Sequence, residues 1–210
     1  MKLLAFCLLA GVFPGWSETR GASFAPITLY VQFQQAAPEG VTLAIQDELA
    51  SIMEPIGLHF EWRDLANAGH EVSAELAVVS FKGRCDLAGL SGRSKFEGAL
   101  GWTHVSDGQI LPFTDVSCDR VREFAQSGLV ALNADEREEK YGRALGRVLA
   151  HELYHIFANT MRHGSMGIAK ESYSIQDLLT DDFQFRDKES RLLQSSRPKT
   201  QVAEAVTGSM

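Results

Sequence analysis

The chain has 210 residues, 45% of them hydrophobic and 22% charged, with a formal net charge of −7. That length and balance suit one globular domain with a sizeable core. The acidic surplus argues against nucleic acid or an anionic membrane surface as a partner.

Met1 and Lys2 precede a nearly continuous apolar run over residues 3–13, followed by Pro14-Gly15-Trp16-Ser17. This is the pattern of a secretory signal peptide, expected over residues 1–20 and removed on export. The run is too short to span a bilayer, so the expectation is a secreted or periplasmic protein without stable membrane association. Cys7 leaves with that segment. Cys85 and Cys118 remain, and in an oxidising compartment two such cysteines are expected to pair, the alternative being two buried thiols.

The domain is expected to fill residues 21–195. Residues 27–34 alternate, with Ile27, Leu29, Val31 and Phe33 on one face, the mark of a half-buried strand. Val41, Ile45, Leu49, Ile52 and Met53 then fall at helical spacing over residues 40–53, and Pro55 and Gly57 stop that helix. Leu58, Phe60 and Trp62 predict a second strand. The more continuously apolar residues 76–81 predict a third, placed centrally in the sheet. Residues 83–98, rich in Gly, Ser and charge, read as a loop. Residues 99–105 and 109–116 flank Ser106-Asp107-Gly108, a hairpin signal. A short helix is expected over residues 119–126.

Asn133, with Glu136 three residues on, forms a capping-box start for a long helix reaching residue 160. At 100° per residue, Leu145, Leu149, Leu153, Ile156 and Phe157 make an apolar stripe. Lys140, Arg143, Arg147 and Tyr154 make a wetter face. Val148, His151, Glu152 and His155 form a strip beside the stripe. Further helical patterns cover residues 175–185 and 187–194, and the polar residues 196–210 predict an unstructured tail.

His151-Glu152-Leu153-Tyr154-His155 is an H-E-x-x-H run. Residues four apart share a helix face, so two imidazoles can converge on one metal ion with Glu152 beside them. Burying an acid and two imidazoles beside an apolar stripe is costly unless they share a partner. Zinc suits such ligands and, when catalytic, keeps a position open for water.

The order of strand, helix, further strands and a long helix bearing H-E-x-x-H resembles the zincin metallopeptidases, and their metzincin branch in particular. The resemblance covers roughly residues 27–166, with its sequence specificity in the five-residue motif. It implies an α+β fold: a mixed twisted sheet of four to five strands, a backing helix and a long active-site helix. Metzincins extend the motif to H-E-x-x-H-x-x-G-x-x-H. Here position 158 is Ala, and the next histidine is His163, eight residues after His155. Asn159 tolerates the left-handed conformation and can reverse the chain in place of Gly, returning His163 toward the metal. The competing scheme resembles the gluzincins, whose third ligand is an acid on a later helix; Glu171 is that candidate, with Asp177 and Asp181 behind it. Met166 falls too early for the metzincin methionine turn and is expected as a core filler. Tyr154 and Tyr173 are expected to be structural, Tyr173 being a secondary candidate oxyanion donor.

The resemblance therefore implies a secreted zinc metalloendopeptidase. One Zn2+ would be held by His151, His155 and His163. Glu152 would act as general base toward a metal-activated water, and a peptide substrate would be added along the strand at residues 99–105; Trp102 and His104 on that strand are candidates for lining the cleft, the commoner explanation of both being a plain half-exposed strand pair. The alternative is a secreted zinc-binding or protein-interaction domain without turnover.

Overall fold

Alternating apolar residues make Ile27–Phe33 the first strand, β1, of the computed structural model. The structure describes residues 26–69, 73–92, 96 and 98–196, all within one compact unit, Phe24–Thr200. The expected signal peptide, and all of the expected tail except Ser196, lie outside the described residues.

After β1 come helix α1 (Glu39–Met53), strands β2 (Phe60–Asp64) and β3 (Leu76–Lys82), and the hairpin β4 (Gly101–Ser106) and β5 (Gln109–Ser117). Helices α2 (Cys118–Leu129), α3 (Ala134–Phe157), α4 (Ile175–Leu179) and α5 (Asp187–Ser196) complete the described chain. The five strands form one sheet in the order β2-β1-β3-β5-β4. All neighbours are parallel except β4 and β5, so the fold is a mixed α+β arrangement with a mostly parallel sheet. β3 is the central strand, as its apolar run suggested, and β4 is an edge. Asp107 and Gly108 both adopt positive φ, 51° and 76°, the two-residue turn that matches the twist of a hairpin.

β1 is more enclosed than a half-buried strand. Thr28 and Tyr30 are buried along with Ile27, Leu29 and Val31. β1 lies between β2 and β3, and the Ser73 hydroxyl donates to Thr28 Oγ1 at 2.9 Å.

The core lies between the sheet face carrying Leu29, Val79 and Phe81 and the helices α1 and α3. α1 buries Val41, Ile45, Leu49, Ile52 and Met53, and is followed by a 3-10 turn over Glu54–Ile56 that closes where Gly57 turns left-handed at φ 84°. α3 opens on the expected capping box: Glu136 N donates to Asn133 Oδ1 at 3.0 Å, and Asn133 N donates to Glu136 Oε2 at 3.3 Å. Gly142 and Gly146 let the two helices touch. A Cβ at Gly142 would stand 2.5 Å from Ala44 Cβ and 2.7 Å from the Val41 carbonyl oxygen.

The expected wetter face of α3 is only partly wet. Arg147 is fully buried and Tyr154 nearly so. Arg147 Nε donates to Glu48 Oε1 at 2.6 Å and Nη1 to the Asp177 carbonyl at 2.6 Å, with Phe183 stacked against the guanidinium. These partners lie on α1 and on the segment after the motif helix, which covers what would otherwise be solvent-facing. That segment is also less helical than its apolar spacing predicts: of residues 175–185 only Ile175–Leu179 coil. Asp181 is drawn to Lys140 and Arg143 of α3, and Phe185 packs on Tyr154 with ring centroids 5.6 Å apart. Tertiary anchoring outweighs the local pattern there.

Cys85 and Cys118 form a disulfide, with Cα atoms 4.8 Å apart across a sequence separation of 33. It ties the segment between β3 and β4 to the first turn of α2.

Candidate metal centre

His151 and His155 sit one turn apart on α3, and both are buried. Their Nδ1 atoms lie against main-chain carbonyls, His151 at 2.8 Å from Ile168 O and His155 at 2.7 Å from Thr160 O. A carbonyl can only accept, so each Nδ1 carries the ring hydrogen and each Nε2 presents a lone pair. Those two Nε2 atoms face each other at 3.0 Å. Two acceptors at that distance repel unless a cation lies between them. Two imidazole ligands of a tetrahedral zinc, at Zn–N of about 2.0–2.1 Å, stand about 3.3 Å apart. The donor set therefore fits a metal ion.

The third histidine arrives by the route Asn159 made available. Asn159 takes φ 46° immediately after the helix, and Thr160 N donates back to His155 O at 3.1 Å. The chain reverses and brings the His163 ring to 5.1 Å and 4.9 Å, centroid to centroid, from those of His151 and His155. One ligand atom from each of the three lies within 4.8 Å of the others. The site is thus a triad of His151, His155 and the more exposed His163, able to hold a metal ion.

The acids proposed as alternatives stand elsewhere. Asp177 is 2.5 Å from Lys170, and Asp181 is held by Lys140 and Arg143, so both are engaged in ion pairs. Glu171 is exposed and lines the cleft without joining the triad. Met166 is no core filler: it is exposed, and the apolar positions buried in that segment are Ile168 and Ala169. His104 Nε2 lies 3.0 Å from Asp115 Oδ2 across the hairpin and does not line the cleft, whereas Trp102 does.

Glu152 is buried beside the triad. The Thr103 hydroxyl lies 2.8 Å from Glu152 Oε2 and 3.1 Å from the Glu152 carbonyl. Burial pushes the Glu152 carboxyl up to about 7, against the pull of hydrogen bonds from the Thr103 side chain and backbone. Burial likewise lowers His151 to about 4; the Ile168 carbonyl opposes this, and the neighbouring imidazoles of His155 and His163 add to it. His155 is lowered for the same first reason. A base raised toward neutrality beside imidazoles kept neutral is a set suited to metal-assisted proton transfer.

These groups open onto a cleft of about 520 Å³. Leu100, Phe124 and Val148 supply apolar wall, with Trp102, Glu171 and Tyr173 also lining it. The Tyr173 hydroxyl donates to Ile168 O, the same carbonyl that receives His151 Nδ1–H, so it buttresses the His151 ring. Burial raises its phenol well above the ordinary value. Sequence reading assigned no part to Thr103 or Gly101, since a threonine and a glycine in a strand carry no signal of what they will face.

No family model, curated protein or solved structure matches the chain. What bears on function is therefore the triad able to hold a metal ion, its tautomers and the neighbouring carboxylate.

Proposed function

We propose that the chain is an exported zinc-dependent endopeptidase of zincin type, metzincin-like in its ligand set, which hydrolyses peptide bonds with Glu152 as general base. The observation that carries this reading is the opposed pair of lone pairs on His151 and His155, closed by His163, with a buried carboxylate next to them in an open cleft. His151, His155 and His163 would hold the ion, and a zinc bound there would supply Lewis acidity toward water and a substrate carbonyl.

The chain's own groups then have distinct tasks. Glu152, raised toward neutrality by burial, accepts the proton of the attacking water and returns it to the leaving amine. The carbonyls of Ile168 and Thr160 fix the ring tautomers. β4 is a sheet edge beside the cleft, and an extended peptide adds to it through main-chain hydrogen bonds, with Leu100 and Phe124 receiving apolar side chains. The disulfide suits an oxidising compartment outside the cytosol. Among the described residues no helix is long and apolar enough to cross a membrane.

Digestion of a peptide library by the purified protein, followed by mass spectrometry, tests this. The wild type should cut internal peptide bonds and carry about one zinc per chain. Glu152→Gln should keep the zinc and lose at least about a thousandfold in kcat/KM, as removal of a general base with its stabilising charge implies. Turnover retained in that variant removes Glu152 from the mechanism, and a folded protein that takes up no zinc removes the reading altogether.

A further inference from the structure

Resting on that peptidase reading, we propose that Thr103 is the positioning residue for Glu152, its hydroxyl clamping the carboxylate against α3 so that the general base keeps one orientation toward the cleft.

The two side chains form a buried pair reaching from the edge strand to the motif helix. Thr103 and Glu152 are 8% and 5% exposed, and the hydroxyl lies 2.8 Å from Oε2. Glu152 has no ion pair among the described residues, and burial dominates its environment. A buried carboxylate without a cation is held by whatever donors reach it, and here these come from Thr103. Glutamate has three rotatable bonds, and without the clamp the carboxylate is free to swing toward the histidines or out into the cleft. A one-ångström misplacement of a reacting group costs about a hundredfold in rate.

Two features of β4 serve this contact. Gly101, two residues before Thr103, brings the strand close to α3: a Cβ there would stand 3.0 Å from Glu152 Cγ, 3.0 Å from Val148 Cγ1 and 3.0 Å from the Asp115 carbonyl. The register of the β4–β5 pair shifts between Thr103 and Val105, an irregularity of the kind that re-aims a side chain next to a site. Threonine is β-branched and stiff at χ1, so its hydroxyl stays aimed once the strand is placed. Because the same hydroxyl also approaches the Glu152 carbonyl at 3.1 Å, the clamp registers the strand on the helix as well as the carboxylate on the strand.

The test uses Thr103→Val, which keeps shape and branching, and Thr103→Ser, which keeps the hydroxyl. Thr103→Val should lower kcat by about 10- to 100-fold, the range for loss of an outer-shell partner, with KM within about twofold and zinc still near one per chain. Thr103→Ser should recover most of the lost kcat. A merely structural role predicts the reverse, since valine packs better than serine. A second measurement needs no turnover: urea unfolding of the metal-free protein for Thr103→Val, Glu152→Ala and the double variant. The clamp predicts that Thr103→Val lowers the midpoint clearly more in the wild-type background than in the Glu152→Ala background, where only the contact with the main-chain carbonyl of residue 152 is left to lose. If the wild type holds zinc but cuts no peptide, the peptidase reading falls and this cycle alone judges the clamp. Equal midpoint shifts in both backgrounds, or a kcat for Thr103→Val within twofold of wild type, overturn the proposal.

Discussion

At the scale of single residues, the site is governed by where two hydrogens sit. Ile168 and Thr160 claim the Nδ1–H of His151 and His155, and the Nε2 lone pairs are left facing each other at 3.0 Å. His163 completes the set from beyond the helix, and its removal should be felt at the metal first. His163→Ala should weaken zinc binding by at least about 100-fold in a competition titration with a chromogenic chelator, since even outer-shell losses cost 10- to 100-fold; unchanged affinity would return the third ligand to Glu171. Ionisation gives a second expectation. His151 is lowered to about 4, so in the metal-free protein its contribution to stability is present above 6.5 and is lost as pH falls toward 4. Glu152 is raised to about 7, so its contribution is present below 4.5 and is lost as pH rises through 7. The two oppose one another between those limits. Glu152→Gln removes one of them, so the metal-free variant should gain roughly 1–3 kcal/mol on the wild type as pH rises from 4.5 to 7, read by urea unfolding. A difference that does not vary with pH would mean that Glu152 ionises like a solvated acid.

At the scale of elements, α3 is held by its two ends and by one close crossing. The capping box satisfies its first turn, and the left-handed Asn159 reverses the chain directly after its last. Between them Gly142 and Gly146 accept α1 at backbone distance, which sets the depth of the motif strip relative to the sheet. Gly142→Ala gains helix propensity yet places a methyl 2.7 Å from the Val41 carbonyl. The clash should win, lowering stability by about 1–3 kcal/mol in chemical denaturation; a stabilised variant would show that α1 shifts freely. The residues after the motif show the opposite balance. Their apolar spacing suits a helix, but beyond Leu179 the ion pairs from Asp181 to Lys140 and Arg143, and the packing of Phe185 on Tyr154, hold them non-helical against α3.

At the scale of the whole molecule, one cleft is assembled from parts distant in sequence: the edge strand, α2, the motif helix and the segment beyond it. The Cys85–Cys118 bridge fastens the segment preceding β4 to α2, and both of those line the cleft through Leu100 and Phe124. Cys85→Ser with Cys118→Ser should cost about 4 kcal/mol, the chain-entropy value for a loop of this size, measured by urea unfolding. A loss below about 1 kcal/mol would place the bridge among those without stabilising effect.

Much of this architecture is local and was therefore legible in the chain itself. Periodicity of two marked β1 and β2, Ser106-Asp107-Gly108 marked the hairpin, periodicity of 3.6 marked α1, and Asn133 with Glu136 marked the start of α3. His151, Glu152 and His155 were readable because a single helix sets their relation, and Asn159 as a turning point because few residues tolerate that conformation. What required the folded structure is what depends on separate elements meeting. The carbonyls that set the ring tautomers, the burial of Arg147 and the contact of Thr103 with Glu152 all join residues whose spacing in sequence carries no periodic signal. Local rules act over one turn or one strand, whereas these contacts are decided by how strand, helix and loop pack against one another.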